Sequence, residues 1–251
     1  MKKNLIILII LFSRLLTYSL SSNNCRLLKD DSFEKVSSSQ AYESKFKVDL
    51  DFDFSFHSTT YRSIYIDFNG KVTFDTYSDT LSEPMNMREV DYPMIAAFWA
   101  NANFVTEGSR VESNVYYKVT NSSIIIVWEN TLNLYASNYD LVQKTNVFQL
   151  VLTNWNDPLI PDGNNISFYY DKMDWTTGEY TESNDGFGGP SATVGISEDY
   201  DNNYIQTGRF DRDGYETYVP GYEIGGVIWL LLNKCDFKIN TLDTISVTVN
   251  G

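Results

Sequence analysis

Three loops and one pair of residues in this chain have the side-chain types and spacing to do chemistry. Asp199-Tyr-Asp-Asn-Asn203 and Asp211-Arg-Asp-Gly-Tyr-Glu216 alternate carboxylates with amides or turn residues. A hard cation takes six to eight oxygens from such groups, so Asp199, Asp201, Asn203, Asp211 and Asp213 are candidate calcium ligands. Neither loop completes an EF-hand. Counting from Asp199, the turn position is Tyr204 rather than Gly and the last position is Phe210 rather than Glu, so a solvated surface turn is the competing reading. Asn154-Trp-Asn-Asp-Pro158 sets a large indole in a polar loop. A flat apolar face flanked by amides and a carboxylate suits a sugar ring and its hydroxyls, which makes Trp155, Asn154, Asn156 and Asp157 candidate ligand-binding residues. The alternative is an indole folded down onto the sheet. Cys25 and Cys235 are the only cysteines. In an exported protein they would form a single disulfide clasping the two ends of the domain, worth about 4–5 kcal/mol on chain-entropy grounds. Otherwise they are two free thiols.

Catalysis finds little support. His57 is the only histidine, and no Gly-x-Ser-x-Gly turn exists to use it. No His/Cys cluster offers a zinc site. A glycosidase needs only two suitably separated carboxylates, so a secreted carbohydrate hydrolase is a third, weaker reading. No enzymatic activity and no obligatory cofactor are expected, calcium being the one ion worth testing.

Charge and leader bear on location. Lys2 and Lys3 precede an apolar run from Leu5 to Phe12, which Arg14 interrupts, with Ser19, Ser21 and Ser22 following. That pattern describes a cleavable signal peptide over 1–21, with a retained anchor as the alternative; the run falls short of the roughly 20 residues of a membrane span. The chain holds 33 Asp plus Glu and 19 Lys plus Arg, a net charge of −14. Three of the cations lie in the leader, so 16 against 33 leaves −17 for the remainder. Nucleic acid and anionic membranes attract basic patches, so neither is an expected partner. Asn121-Ser-Ser123 and Asn165-Ile-Ser167 are N-glycosylation acceptors on a eukaryotic secretory route.

The elements that must position these groups are strands. Asp49-Leu-Asp-Phe-Asp-Phe-Ser-Phe56 alternates strictly, the mark of a half-buried strand. Ile64, Ile66 and Phe68 repeat the pattern, Asn69-Gly70 predicts a two-residue hairpin turn, and Val72 and Phe74 resume it. Further strands are expected near 94–99, 114–120, 123–129, 146–153, 165–171, 191–196, 203–207, 215–219, 225–232 and 244–249. The apolar runs Ile124–Trp128 and Val227–Leu232 suit strands covered on both faces. No amphipathic helix and no repeat is evident. The expected organisation is a signal peptide (1–21), a polar lead-in (22–45), one all-β domain built as an antiparallel two-sheet sandwich (46–240), and a C-terminal strand or tail (241–251). A domain of this size buries roughly 70% of its extended-chain surface.

Eight short blocks follow one another in a recognisable order: Ser63-Ile-Tyr-Ile-Asp-Phe-Asn-Gly70, Pro93-Met-Ile-Ala-Ala-Phe-Trp-Ala100, Asn114-Val-Tyr-Tyr117, Ile126-Val-Trp128, Asn146-Val-Phe-Gln-Leu-Val-Leu152, Ile166-Ser-Phe-Tyr-Tyr-Asp171, Trp175-Thr-Thr-Gly178 and Gly188-Gly-Pro-Ser-Ala-Thr-Val-Gly-Ile196. Together they resemble a nidogen-like extracellular (NIDO) domain. The resemblance implies a secreted or cell-surface, non-enzymatic module in cell–matrix adhesion or extracellular structural interaction, with a matrix protein, cell-surface protein or glycan as partner. A lectin-like carbohydrate-binding sandwich is the runner-up. Phe98, Trp99, Trp128, Phe148, Trp175 and Trp229, the large aromatics of the apolar strand runs, are expected in the core, each burying on the order of 150–250 Å². Two departures stand out. Relatives commonly follow the Phe-Trp pair with Ala-Asp-x-Asp, whereas this chain reads Ala100-Asn-Ala-Asn103, which weakens any ion-binding role there. Relatives also often carry a longer stretch where only Lys118–Ser123 lies here.

Overall fold

The computed structural model describes residues 27–36, 45–56, 59–74, 84–103, 112–133, 144–159, 165–175, 192–199, 203–207, 228–234 and 245–249. The leader, Cys25, His57, Cys235 and the strand expected at 215–219 lie outside these residues.

The described chain is β throughout, apart from one 3-10 turn at Met87–Glu89. In order come β1 (Glu34–Lys35), β2 (Lys45–Phe56), β3 (Thr59–Asp67), β4 (Lys71–Thr73), β5 (Met94–Trp99), β6 (Ala102–Asn103), β7 (Asn114–Val119), β8 (Ser123–Asn133), β9 (Asn146–Thr153), β10 (Ile166–Met173), β11 (Thr193–Asp199), β12 (Asn203–Thr207), β13 (Ile228–Lys234) and β14 (Ile245–Val249). They form two sheets. The larger runs β1-β7-β8-β9-β10-β13-β14 with β6 attached to β8, and the smaller runs β12-β11-β5-β4-β3-β2. Every pairing is antiparallel except β10 with β13, which is parallel from Ile166↔Leu230 to Tyr170↔Lys234.

Alternation in the sequence becomes alternation in burial. Along β2, Phe46, Val48, Leu50, Phe52, Phe54 and Phe56 point inward while Lys47, Asp49, Asp51 and Asp53 are exposed. The inner faces of the two sheets meet in one core that holds Ile64, Ile66, Phe98, Trp128, Phe148, Leu150, Phe168 and Trp175. Phe98 of the smaller sheet meets Phe148 of the larger one (5.4 Å) and Trp175 edge-on (5.5 Å), tying the sheets together, while Trp128 stacks on Phe148 within the larger sheet (5.1 Å). Such pairs add about 0.5–1.5 kcal/mol each beyond area burial. The indoles are satisfied as well as buried: Trp128 Nε1 donates to the Asp67 carbonyl and Trp175 Nε1 to that of Thr131, both at 3.0 Å.

Strands β5, β8 and β9 are buried on both faces because short segments cover the outer sides of the sheets. On the smaller sheet, Met87 and Val90 sit on Met94, Ala96 and Trp99. On the larger sheet, Leu27, Leu28, Phe33 and Leu159 sit on Ile125, Val127, Val151 and Tyr169. The stretch expected as a polar lead-in therefore contributes, over 27–36, a strap of packing residues and the edge strand β1. Its apolar residues are too few and too irregularly spaced to announce themselves.

The β3–β4 turn differs from expectation. Asp67 pairs with Lys71, so the β3–β4 hairpin has three loop residues, Phe68, Asn69 and Gly70, rather than two. The Gly70 N–H donates to the Asp67 carbonyl and only Gly70 has a positive φ, +85°. A type I turn followed by a left-handed glycine gives this loop length. The turn then braces β5: the Gly70 carbonyl accepts from the N–H groups of Ala97 and Phe98, and the Asn69 carbonyl accepts from Ala100.

Candidate functional site

The polar loop after β9 is the candidate site that lies wholly among described residues. Thr153 ends β9, and its hydroxyl accepts from the Trp155 N–H at 3.3 Å. Asn154 Oδ1 accepts from the Asn156 N–H (3.1 Å), a local turn typical of Asn and Asp. Trp155 itself has φ +72°, a left-handed conformation costly for a bulky residue. It is half-buried, Asn156 is exposed, and Asp157 is buried.

What holds this loop is the β7–β8 turn beside it. Asp157 Oδ2 accepts from the Ser122 hydroxyl (2.6 Å), Asp157 Oδ1 accepts from the Leu159 N–H (2.8 Å), and the Asn154 N–H donates to the Ser122 carbonyl (2.9 Å). The turn is stiffened in its own right by Thr120, whose hydroxyl accepts from the N–H groups of Ser122 and Ser123. Of the four residues expected to contact a ligand, all are brought together, but Asp157 is spent on internal bonds. That leaves the part-exposed indole to face a partner, the Asn154 and Asn156 amides being partly engaged with each other's backbone. Ser122 had no signal of its own in the sequence; its role depends on Asp157, distant along the chain and adjacent in space.

The two glycosylation acceptors fall in contrasting places. Asn121 is exposed on that same turn. Asn165 is wholly buried at the start of β10, and its Nδ2, the atom a glycan would occupy, donates to the Ser55 carbonyl at 2.8 Å. Of the two, only Asn121 presents its amide to a modifying enzyme in the folded chain.

Calcium candidates divide differently. Asp199 and Asn203 are register partners across the β11–β12 hairpin, next to an irregularity after Ser197. Asp201, Asp211 and Asp213 lie outside the described residues. Among the described residues, no group of three or more His, Cys, Asp or Glu side chains converges to hold a metal. Asn101 is buried just after β5, and the neighbouring Asn69 Oδ1 accepts from the Ala102 N–H (3.0 Å).

Phe98, Trp128, Phe148 and Trp175 are core residues, as expected. Trp99 is buried too, but on the outer side of the smaller sheet, with the Lys71 ammonium 4.2 Å from its ring centroid. The side chain of Trp229 lies outside the described set. Asn146 links two of the sequence blocks: its Oδ1 accepts from the N–H groups of Asp174 and Trp175, and its Nδ2 donates to the Trp175 carbonyl.

No helix among the described residues is long and apolar enough to cross a membrane. No curated protein and no solved structure matches the chain. A family model described as NIDO related matches residues 30–212, a span that runs from the strap at the N-terminal end to just beyond β12. The chain belongs to the NIDO-related family.

Proposed function

We propose that this chain is an exported, nidogen-like module that acts by surface recognition in cell–matrix adhesion or extracellular structural interaction, and carries out no reaction of its own. The observation behind this reading is the family match over 30–212 on a two-sheet sandwich. Its net charge of −14 disfavours acidic partners and favours basic or cation-bridged ones. The test is retention of the purified chain on cells or matrix extract, with salt weakening the interaction to the extent that charge drives it. Absence of binding to any cell surface and to matrix extract would overturn the reading.

Export brings three covalent expectations: removal of residues 1–21, a Cys25–Cys235 disulfide, and a glycan on Asn121 with none on Asn165. Mass spectrometry of chain recovered from the medium of a secreting host checks all three. An intact leader would replace cleavage by a retained anchor, and two free thiols would remove the disulfide.

One observation favours a second reading as a glycan-binding module. Trp155 is held half-exposed in a left-handed conformation, and such backbone costs concentrate at functional loops. A glycan array without hits, or a Trp155→Ala chain that binds sugar unchanged, removes it.

A further inference from the structure

Among the described sheet edges, β1 has two residues, β12 and β14 have five each, and β2 has twelve. No strand among the described residues pairs with the outer side of β2. A long edge of this kind is a template for another strand, and proteins normally blunt it with scattered charges. On β2 the charges are not scattered. The solvent face reads Lys45, Lys47, Asp49, Asp51, with both cations first and the anions after them. Lys47, Asp49 and Asp51 are exposed, the side chains of Lys47 and Asp49 by 49% and 80%, and in the single chain these two are ion-paired at 2.7 Å along one strand.

We propose that β2 is a self-complementary edge through which two copies of this chain pair antiparallel, about a two-fold axis at Val48. Directly opposed residues in an antiparallel pair share a face of the sheet. With Val48 opposite its own copy, Lys45 meets Asp51 and Lys47 meets Asp49, each twice by symmetry. On the other face, Phe46 meets Leu50. No like charges are opposed. The register is specific: moving the axis to Lys47 sets two lysines against each other, and moving it to Asp49 sets two aspartates against each other. A slip to an odd register places core-facing residues opposite solvent-facing ones. The contact is isologous, as a closed dimer requires, and it uses the strand-addition mode by which exposed edges bind extended chains. It would join the two smaller sheets into one continuous sheet.

The usable segment has a natural end. The β2–β3 ladder is regular from Lys45 to Asp49 and breaks between Asp49 and Phe54. Beyond Asp51, Asp53 is ion-paired with Arg62 of β3, and the Ser55 carbonyl accepts from Asn165. The stretch Lys45–Asp51 spans the charged half of the edge and stops where the strand turns to other partners.

Sedimentation velocity of the purified chain tests this directly. The expected result is a monomer–dimer equilibrium that weakens as salt is raised. Lys45→Asp/Lys47→Asp and Asp49→Lys/Asp51→Lys should each weaken self-association by roughly tenfold or more, since opposed like charges replace four opposed unlike pairs. Mixing the two variants should restore a dimer containing one of each. The fourfold exchange in one chain, Lys45→Asp/Lys47→Asp/Asp49→Lys/Asp51→Lys, should restore the homodimer. Circular dichroism confirms folding of each variant, and should the fourfold exchange fail to fold, the mixture decides. A chain monomeric at every concentration overturns the proposal, as does a dimer indifferent to either reversal or no restoration in folded partners.

Discussion

Gly70 lies so close to Phe98 that a β-carbon at position 70 would stand 2.1 Å from the Phe98 carbonyl oxygen. The same glycine has φ +85° and receives hydrogen bonds from Ala97 and Phe98 on its own carbonyl. The hairpin turn of one sequence block is thereby seated on the strand of the next. Gly70→Ala adds both a steric overlap with backbone and a left-handed strain. It should destabilise the fold by about 3 kcal/mol or more. Urea denaturation checks this, and a loss of under 1 kcal/mol would mean that the turn moves freely away from β5.

Beneath the same turn, Lys71 Nζ lies 3.7 Å from Asp67 Oδ2, with both side chains buried. Asp67 Oδ1 also accepts from the Asn69 N–H at 2.7 Å. Taking the countercharge from a buried ion is costly, so Asp67→Asn and Lys71→Met should each cost about 3–5 kcal/mol. The combined Asp67→Asn/Lys71→Met chain should recover most of that loss, because buried pairs replaced together are often near neutral. A double-mutant cycle measures the coupling. Strict additivity of the two single effects would show that the residues do not sense each other.

One buried and one half-buried phenol predict alkaline instability. The Tyr117 hydroxyl, desolvated and donating to Glu34 Oε2 at 2.7 Å, has its pKa pushed up to about 12. Tyr170 is wholly enclosed, and burial pushes its phenol well above the usual range while it donates to the Ala97 carbonyl at 2.6 Å. Both hold their protons more tightly folded than unfolded. The resulting stabilisation is complete below about pH 10 and drains away as pH rises through the folded values. The urea midpoint should therefore fall as pH is raised from about 10 to 12, and Tyr170→Phe should shallow that fall while costing about 1 kcal/mol at neutral pH. A midpoint that stays level across this range contradicts the enclosure of the Tyr170 hydroxyl.

The Ser122–Asp157 bond should govern the shape of the loop that carries Trp155. Asp157→Ala removes acceptors for two donors and is expected to cost about 1–3 kcal/mol, Ser122→Ala somewhat less. Both should raise quenching of tryptophan fluorescence by a neutral quencher, because the loop is released and the other described indoles are buried. Unchanged quenching in Asp157→Ala would show that the backbone alone fixes the indole.

Much of this fold was legible because its signals are local. Strands at 94–99, 146–153 and 203–207 stand where their residue patterns put them, and the strict alternation after Asp49 continues back to Lys45 in β2. What escaped depends on contacts distant in sequence. Leu27, Leu28 and Phe33 form no periodic pattern, so their burial on the larger sheet follows only from the face they cover. The parallel pairing of β10 with β13 leaves no trace in either strand's own composition. For the candidate site, the polar loop was evident, but Asp157 looked like a ligand group until Ser122 occupied it. The burial of Asn165 was equally hidden, since a sequon reads the same inside and outside a protein.

The placement of β13 between β10 and β14 orders events during synthesis. Strand β10 leaves the ribosome long before residues 228–249, so for that interval its far edge has no neighbour. A chain arrested or clipped after residue 212 would keep the matched family region yet leave Ile166–Tyr170 open to strands from other molecules. The last two ribbons thus act as a late seal, and a nascent chain lacking them should be prone to aggregation.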